Sequence, residues 1–232
     1  AGSNWSGFVA MVRLGTHHIA EGVDHLLFLL VLLLPATLLP SGHRWTSFAG
    51  TRNSIFNILK IVTAFTVGHS LSLILGALGW VALPSQPVEI FIACTVLIAA
   101  IHALRPLFFK RELYVAALFG LVHGLAFSTV LSELHLETGE LIYSILGFNI
   151  GIELMQVLII FLTIPWLILL SKNGHYKYLR IAGAVVAIVA SLAWIIERWQ
   201  LEPNRISTLV EQGFQQGRWL LLLLMAAAIL ST

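Results

Sequence analysis

Histidines and carboxylates recur inside otherwise apolar stretches of this chain, and they are the residues equipped for chemistry. The segment Gly15–Leu34, GTHHIAEGVDHLLFLLVLLL, opens with His17, His18, Glu21, Asp24 and His25 and then becomes unbroken Leu, Val and Phe. On a helix of about 3.6 residues per turn, His18, Glu21 and His25 fall near one face, and His17 and Asp24 near the neighbouring one. His69, His123, Asn149, Glu153 and Gln156 stand in further apolar runs. Ionisable groups in such surroundings are costly to bury and mark functional sites.

The chemistry these residues suit is a divalent transition-metal site. Neutral imidazole and carboxylate bind Ni²⁺, Co²⁺, Zn²⁺ or Fe²⁺, whereas Ca²⁺ and Mg²⁺ prefer shells of oxygen alone. One bound cation would offset the burial of Asp24 and Glu153, which otherwise need protonation or a cationic partner. Asp24, Asn149 and Gln156 can alternatively orient the imidazoles by hydrogen bonds from behind. Blander roles compete. A single intramembrane His often bonds a neighbouring helix, and Gly68, Ser70, Ser72, Gly120 and Gly124 have the small size of close-packing residues. His102 reads as structural, and His17, His18 and Glu21 as an entrance at the membrane surface. Glu133, His135, Glu137 and Glu140 read as a solvated loop in preference to a cation-collecting vestibule.

The elements that must position these groups are membrane helices. Of the 232 residues 58% are hydrophobic and 10% charged, with a mean hydropathy of +0.92. Soluble domains carry about 25% charged residues, so the fold class is all-α, a polytopic helical membrane protein. The net charge of +2 is spread without a basic stripe, which excludes nucleic acid as a partner. A lone Cys94 excludes an intrachain disulfide, and three Met with one Cys argue against a Cu(I) conduit. AGSNWSGF has neither a basic n-region nor a cleavage site, and is expected to be a trimmed or tagged boundary.

Seven spans are expected, at about 15–39, 55–79, 87–105, 112–131, 141–170, 177–199 and 216–231, the fifth long enough to tilt or kink near Pro165. They form a single integral membrane domain over 1–232. Trp45, Trp80, Trp166, Trp194, Trp199 and Trp219 fall near span ends, as interfacial aromatics do. Basic residues gather in the first, third and fifth connections, which places the N-terminus outside and the C-terminus in the cytoplasm. At about 1.5 Å per residue, Asp24 and His25 then lie about 12–15 Å in, His69 about 15 Å, His123 about 12 Å, and Asn149, Glu153 and Gln156 about 12–22 Å. Groups from four spans thus share a depth in the outer half, where no Lys or Arg of the spans is expected. A short echo, FTVGHSL at 65–71 and FGLVHGL at 119–125, is also present.

GTHHIAEGVDHLLFLL, FTVGHSLSL, FGLVHGLAF and FNIGIELMQ resemble the membrane core of the HupE/UreJ proteins, regarded as nickel or cobalt permeases. The resemblance runs from about Gly15 to Gln156 and more weakly beyond. It implies metal binding by Asp24 and His25 of the Gly-x-Asp-His motif and by His123 of the His-Gly motif. His69 and Glu153 match recurrent positions of the family's divergent second branch. Two departures stand out: Ile19 follows His18 where the permease pattern has Pro, and Leu121 and Ala126 stand where it has further His and Glu.

The expected function is therefore a divalent transition-metal transporter with its site (Asp24, His25, His69, His123, Glu153) in the outer half of the membrane. Nickel, cobalt and zinc are the candidate ions, and Lys60, Thr63, Thr66 and Ser70 the candidate inner path. The alternative is an intramembrane metal-dependent hydrolase, its water activated by the metal and Asp24 or Glu153 as general base. A transporter is preferred to an enzyme. The expected partners are membrane lipid and the metal ion, with homo-oligomerisation left open, and the expected location is the bacterial inner (plasma) membrane.

Overall fold

A computed structural model describes residues 4–81, 83–133 and 138–230. The chain forms helices α1 (Asn4–Glu21) and α2 (Val23–Ala36), strands β1 (Leu38–Ser41) and β2 (Arg44–Phe48), then helices α3 (Thr51–Ala77), α4 (Ser85–Leu104), α5 (Glu112–Glu133), α6 (Thr138–Ser171), α7 (Tyr176–Gln200), α8 (Arg205–Gln215) and α9 (Gly217–Leu230). It is an all-α polytopic membrane protein. Helices α3, α4, α6 and α7 are each long and apolar enough to cross a bilayer, and six spans result if each bent pair, α1–α2 and α8–α9, is one span. Of the seven expected spans, the one outside this count is 112–131, which among the described residues is the shorter apolar helix Glu112–Phe127. Both α2 and α9 have 14 residues, about 21 Å of helix, against a hydrocarbon core of about 30 Å.

The expected continuous first span is two helices. The chain breaks at Gly22 and turns by 69° between α1 and α2. Gly22 has φ −73° and ψ 94°, extended rather than helical. A second surprise is the antiparallel hairpin β1–β2, turned at Gly42 with φ 58°, where only a basic connection was expected. Helix α6, by contrast, runs through Pro165 without interruption.

Small residues set the helix spacing. A Cβ on Gly68 would collide with the Ala117 carbonyl of α5, and one on Gly120 with the Phe65 carbonyl of α3. The echo FTVGHSL/FGLVHGL is therefore the α3–α5 crossing itself, each copy's glycine lying against the other copy's backbone. Gly15 and Gly151 repeat the arrangement between α1 and α6. Without a hydrophobic drive between helices in lipid, such close backbone approach maximises dispersion contact.

Helix α2 is central, packing on α3, α4, α6 and α7. Its Leu27, Phe28, Val31 and Leu32 join Phe65, Phe119, Trp194 and the alanines of α4 and α7 in one cluster. Trp194 is thus buried, 4% exposed, and not interfacial as expected, whereas Trp80 and Trp199 are each 74% exposed. At the other end, Tyr176 Oη donates to Leu34 O at 2.7 Å. Arg180 Nη1 donates to the Ala103 carbonyl, satisfying an end of α4 that has no further helix to bond.

Candidate metal centre

The bend at Gly22 brings His18, near the end of α1, beside His25, in the first turns of α2. Their ring centroids are 4.6 Å apart. The α3–α5 crossing sets His69 and His123 against them: the His18–His69 and His25–His69 centroids are 6.1 and 6.3 Å apart, and His25–His123 is 4.8 Å. His25, His69 and His123 are buried, at 6%, 0% and 1% exposure. Phe28, Phe65, Phe127 and Phe148 pack around the imidazoles, so the cluster sits in an apolar shell.

Tautomers follow from the hydrogen bonds. His25 Nδ1 lies 2.9 Å from Asp24 Oδ1, which also accepts from the His25 backbone N–H at 2.9 Å. A carboxylate accepts, so Nδ1 carries the proton and Nε2 keeps its lone pair. Thr95 Oγ1 donates to Ile92 O at 2.7 Å and lies 2.9 Å from His123 Nε2. Its single proton is spent on the carbonyl, so His123 Nε2 donates and Nδ1 is left as the acceptor. Among the described residues, His18 Nε2, His25 Nε2, both nitrogens of His69 and His123 Nδ1 are buried without a hydrogen-bond partner. Each buried unsatisfied polar atom costs about 1–3 kcal/mol, so this concentration calls for something that binds nitrogen lone pairs.

His18, His25 and His69 offer ligand atoms that all lie within 4.8 Å of one another. Tetrahedral ligation at about 2.1 Å sets nitrogens about 3.4 Å apart, so the rings need close by no more than about 1.4 Å. A donor set of imidazoles suits Ni²⁺, Co²⁺ or Zn²⁺ and not Mg²⁺ or Ca²⁺. Asp24 behind His25 reproduces the carboxylate–histidine arrangement that orients metal ligands.

Not every expected residue enters this cluster. Glu153 and Gln156 meet Thr66 instead, whose Oγ1 lies 2.7 Å from Glu153 Oε2 and 3.0 Å from Gln156 Oε1. Thr66 is one turn along α3 from His69, so Glu153 is a near neighbour of the cluster. Asn149 Nδ2 donates to Ile145 O at 2.9 Å, and its Oδ1 is buried without a partner among the described residues. His17 pairs with Glu21 at 3.3 Å on the surface. His18, expected beside them at the entrance, is turned inward to the cluster by the bend. Ser70 bonds back to Thr66 O at 2.7 Å, as a helix hydroxyl commonly does. His102 has a structural setting, its Nδ1 accepting from Leu107 N at 3.0 Å and its ring stacked on Phe108 at 3.8 Å. In the acidic loop, His135, Glu137 and the side chain of Glu133 lie outside the described residues, and Glu140 is exposed.

A cation does reach this depth, contrary to expectation. Arg198, near the end of α7, sets Nη2 3.8 Å from Asp24 Oδ2 and Nε 3.5 Å from Glu89 Oε2. Its position in the last turn of a span marks it as interfacial in sequence. Thr95 was likewise missed, because an apolar run with one Thr gives no sign of what the hydroxyl meets, and Thr66, expected on an inner path, faces Glu153 and Gln156. Beside Arg198 a cavity of ≈560 Å³ opens between the α1–α2 bend, α7 and α8, with Asp24 in its wall.

No curated protein and no solved structure matches the chain. A family model described as HupE / UreJ protein matches residues 1–198. The chain belongs to the HupE/UreJ family, a family associated with nickel and cobalt transport.

Proposed function

We propose that the protein is a divalent transition-metal transporter of the nickel/cobalt permease type, with His18, His25 and His69 as its principal ligands. The observation that carries this reading is the set of buried imidazole nitrogens without partners, contributed by α1, α2, α3 and α5. His123 adjoins through His25, and Glu153 stands a turn away as a ligand for a second position along the route. Asp24 orients His25. The family supports transport, and the apolar helices support a place in the membrane, which we assign to the bacterial inner membrane with the N-terminus outside. A site built on a broken helix is the architecture by which transporters bind ions in mid-membrane. Metal uptake into proteoliposomes, compared between wild type and His69→Ala, tests the reading. Uptake by the wild type and none by the variant is expected. Metal that binds stoichiometrically to the wild type but never crosses the bilayer overturns transport.

One observation favours a second reading, an intramembrane metal-dependent hydrolase. His18, His25 and His69 would hold the ion, and a metal held by three imidazoles would supply an activated water near neutral pH. Asp24, which lines the cavity, or Glu153 would then be the general base. Stoichiometric binding without translocation, together with hydrolysis of a membrane-embedded peptide or ester, selects this alternative.

A further inference from the structure

Both oxygens of Asp24 are engaged by the protein. Oδ1 accepts from the His25 ring and the His25 backbone at 2.9 Å each, and Oδ2 faces Arg198 Nη2 at 3.8 Å. Arg198 is itself held on two further sides. Its Nε lies 3.5 Å from Glu89 Oε2 on α4, and its guanidinium lies over the Trp194 ring, 5.6 Å from the centroid. The side chain is only 19% exposed. Arg198 therefore ties α7 to α2 and α4 at the wall of the cavity that Asp24 also lines.

A carboxylate next to a histidine ligand has two possible roles. It can bind the metal through oxygen, or it can stay behind the imidazole and orient it. The choice matters for selectivity, because anionic oxygen is the ligand that Mn²⁺, Mg²⁺ and Ca²⁺ require, whereas imidazole nitrogen suits Ni²⁺, Co²⁺ and Zn²⁺. An arginine 3.8 Å from the free oxygen opposes the first option, since its positive charge both neutralises the carboxylate and repels a cation approaching Oδ2.

We infer that Arg198 is a specificity-determining residue: by holding Asp24 Oδ2 it keeps this carboxylate off the metal, so that the site presents nitrogen donors and rejects hard, oxygen-seeking cations. The inference rests on the proposed metal centre and names what sets its selectivity. Arg198 acts through Asp24 and does not itself touch the ion.

The test is equilibrium binding of NiCl₂ and of MnCl₂, titrated separately into the purified full chain in detergent, with bound metal measured by elemental analysis. Arg198→Gln frees Asp24 Oδ2, and the Mn²⁺ affinity is expected to rise relative to Ni²⁺ by about tenfold, as an added anionic oxygen favours the harder ion. A merely structural role would weaken both ions together and leave their ratio unchanged. An unchanged ratio in the folded variant overturns the inference. If Arg198→Gln does not fold, Arg198→Lys takes its place: a shorter point charge holds Oδ2 less firmly, so the ratio moves the same way by a smaller factor, and an unmoved ratio again refutes it. A wild type that binds neither ion sinks the metal centre itself and this inference with it. Nickel binding with an unmoved ratio sinks the inference alone.

Discussion

Gly22→Ala places one methyl group at the point where the chain bends into the histidine cluster. A Cβ built there lies 2.6 Å from the His18 carbonyl oxygen, 3.0 Å from His25 Nδ1 and 3.4 Å from Asp24 Oδ1. Ordinary contact needs about 3.4–4 Å, so the His18 backbone must retreat by about 0.8 Å and the His25 ring by about 0.4 Å or more. The backbone dihedrals of Gly22 lie where alanine is allowed, so the cost comes from these overlaps and not from the conformation. Overpacking of this kind costs about 1–3 kcal/mol. The retreat also pulls the His25 ring from its 2.9 Å bond to Asp24, and loss of such an orienting bond lowers metal affinity by about 10–100-fold. Nickel titration and thermal unfolding of the purified protein measure the two effects. The control is Gly7→Ala, at an exposed position inside α1 with nothing within 4 Å of the added Cβ. There the helix propensity of alanine predicts a neutral change or a gain of up to about 1 kcal/mol. Wild-type nickel affinity in Gly22→Ala would refute the claim that this bend assembles the site.

Two further substitutions test its supports. Thr95→Val keeps the shape of the side chain but removes the acceptor of His123 Nε2, and denaturant unfolding is expected to show a loss of about 1–3 kcal/mol; an unaltered transition would mean that His123 is not fixed by Thr95. Gly120→Ala drives a methyl into the Phe65 carbonyl and to 2.9 Å from His69 N, so the α3–α5 crossing must open. A loss of about 1–3 kcal/mol with weaker nickel binding is expected, and a protein as stable as wild type would show that the two glycines do not set the crossing.

Much of this was legible in the sequence because it is local. Long apolar runs with 10% charged residues leave no soluble alternative, and helix is the form that satisfies every backbone group within its own segment. His25, His69 and His123 announce themselves as costly residues in such runs, and a shared depth follows from the fixed rise of a helix. Their meeting in one cluster therefore follows from spacing once the helices pack.

The tertiary structure decided what spacing does not contain. A fixed rise per residue assumes an unbroken helix, so it left His18 at the entrance, and the 69° turn at Gly22 moved it into the cluster. Sequence distance likewise hid Arg198, which lies more than 170 positions from Asp24 and meets it because α7 packs beside α2. The partner of a hydroxyl such as Thr95 or Thr66 is fixed by the facing helix, about which its own neighbours in the chain carry no information. The amino-acid sequence determined which groups are too expensive to bury without a use. Packing determined which of their atoms are left without a partner, because that depends on contacts between segments that the chain order does not encode.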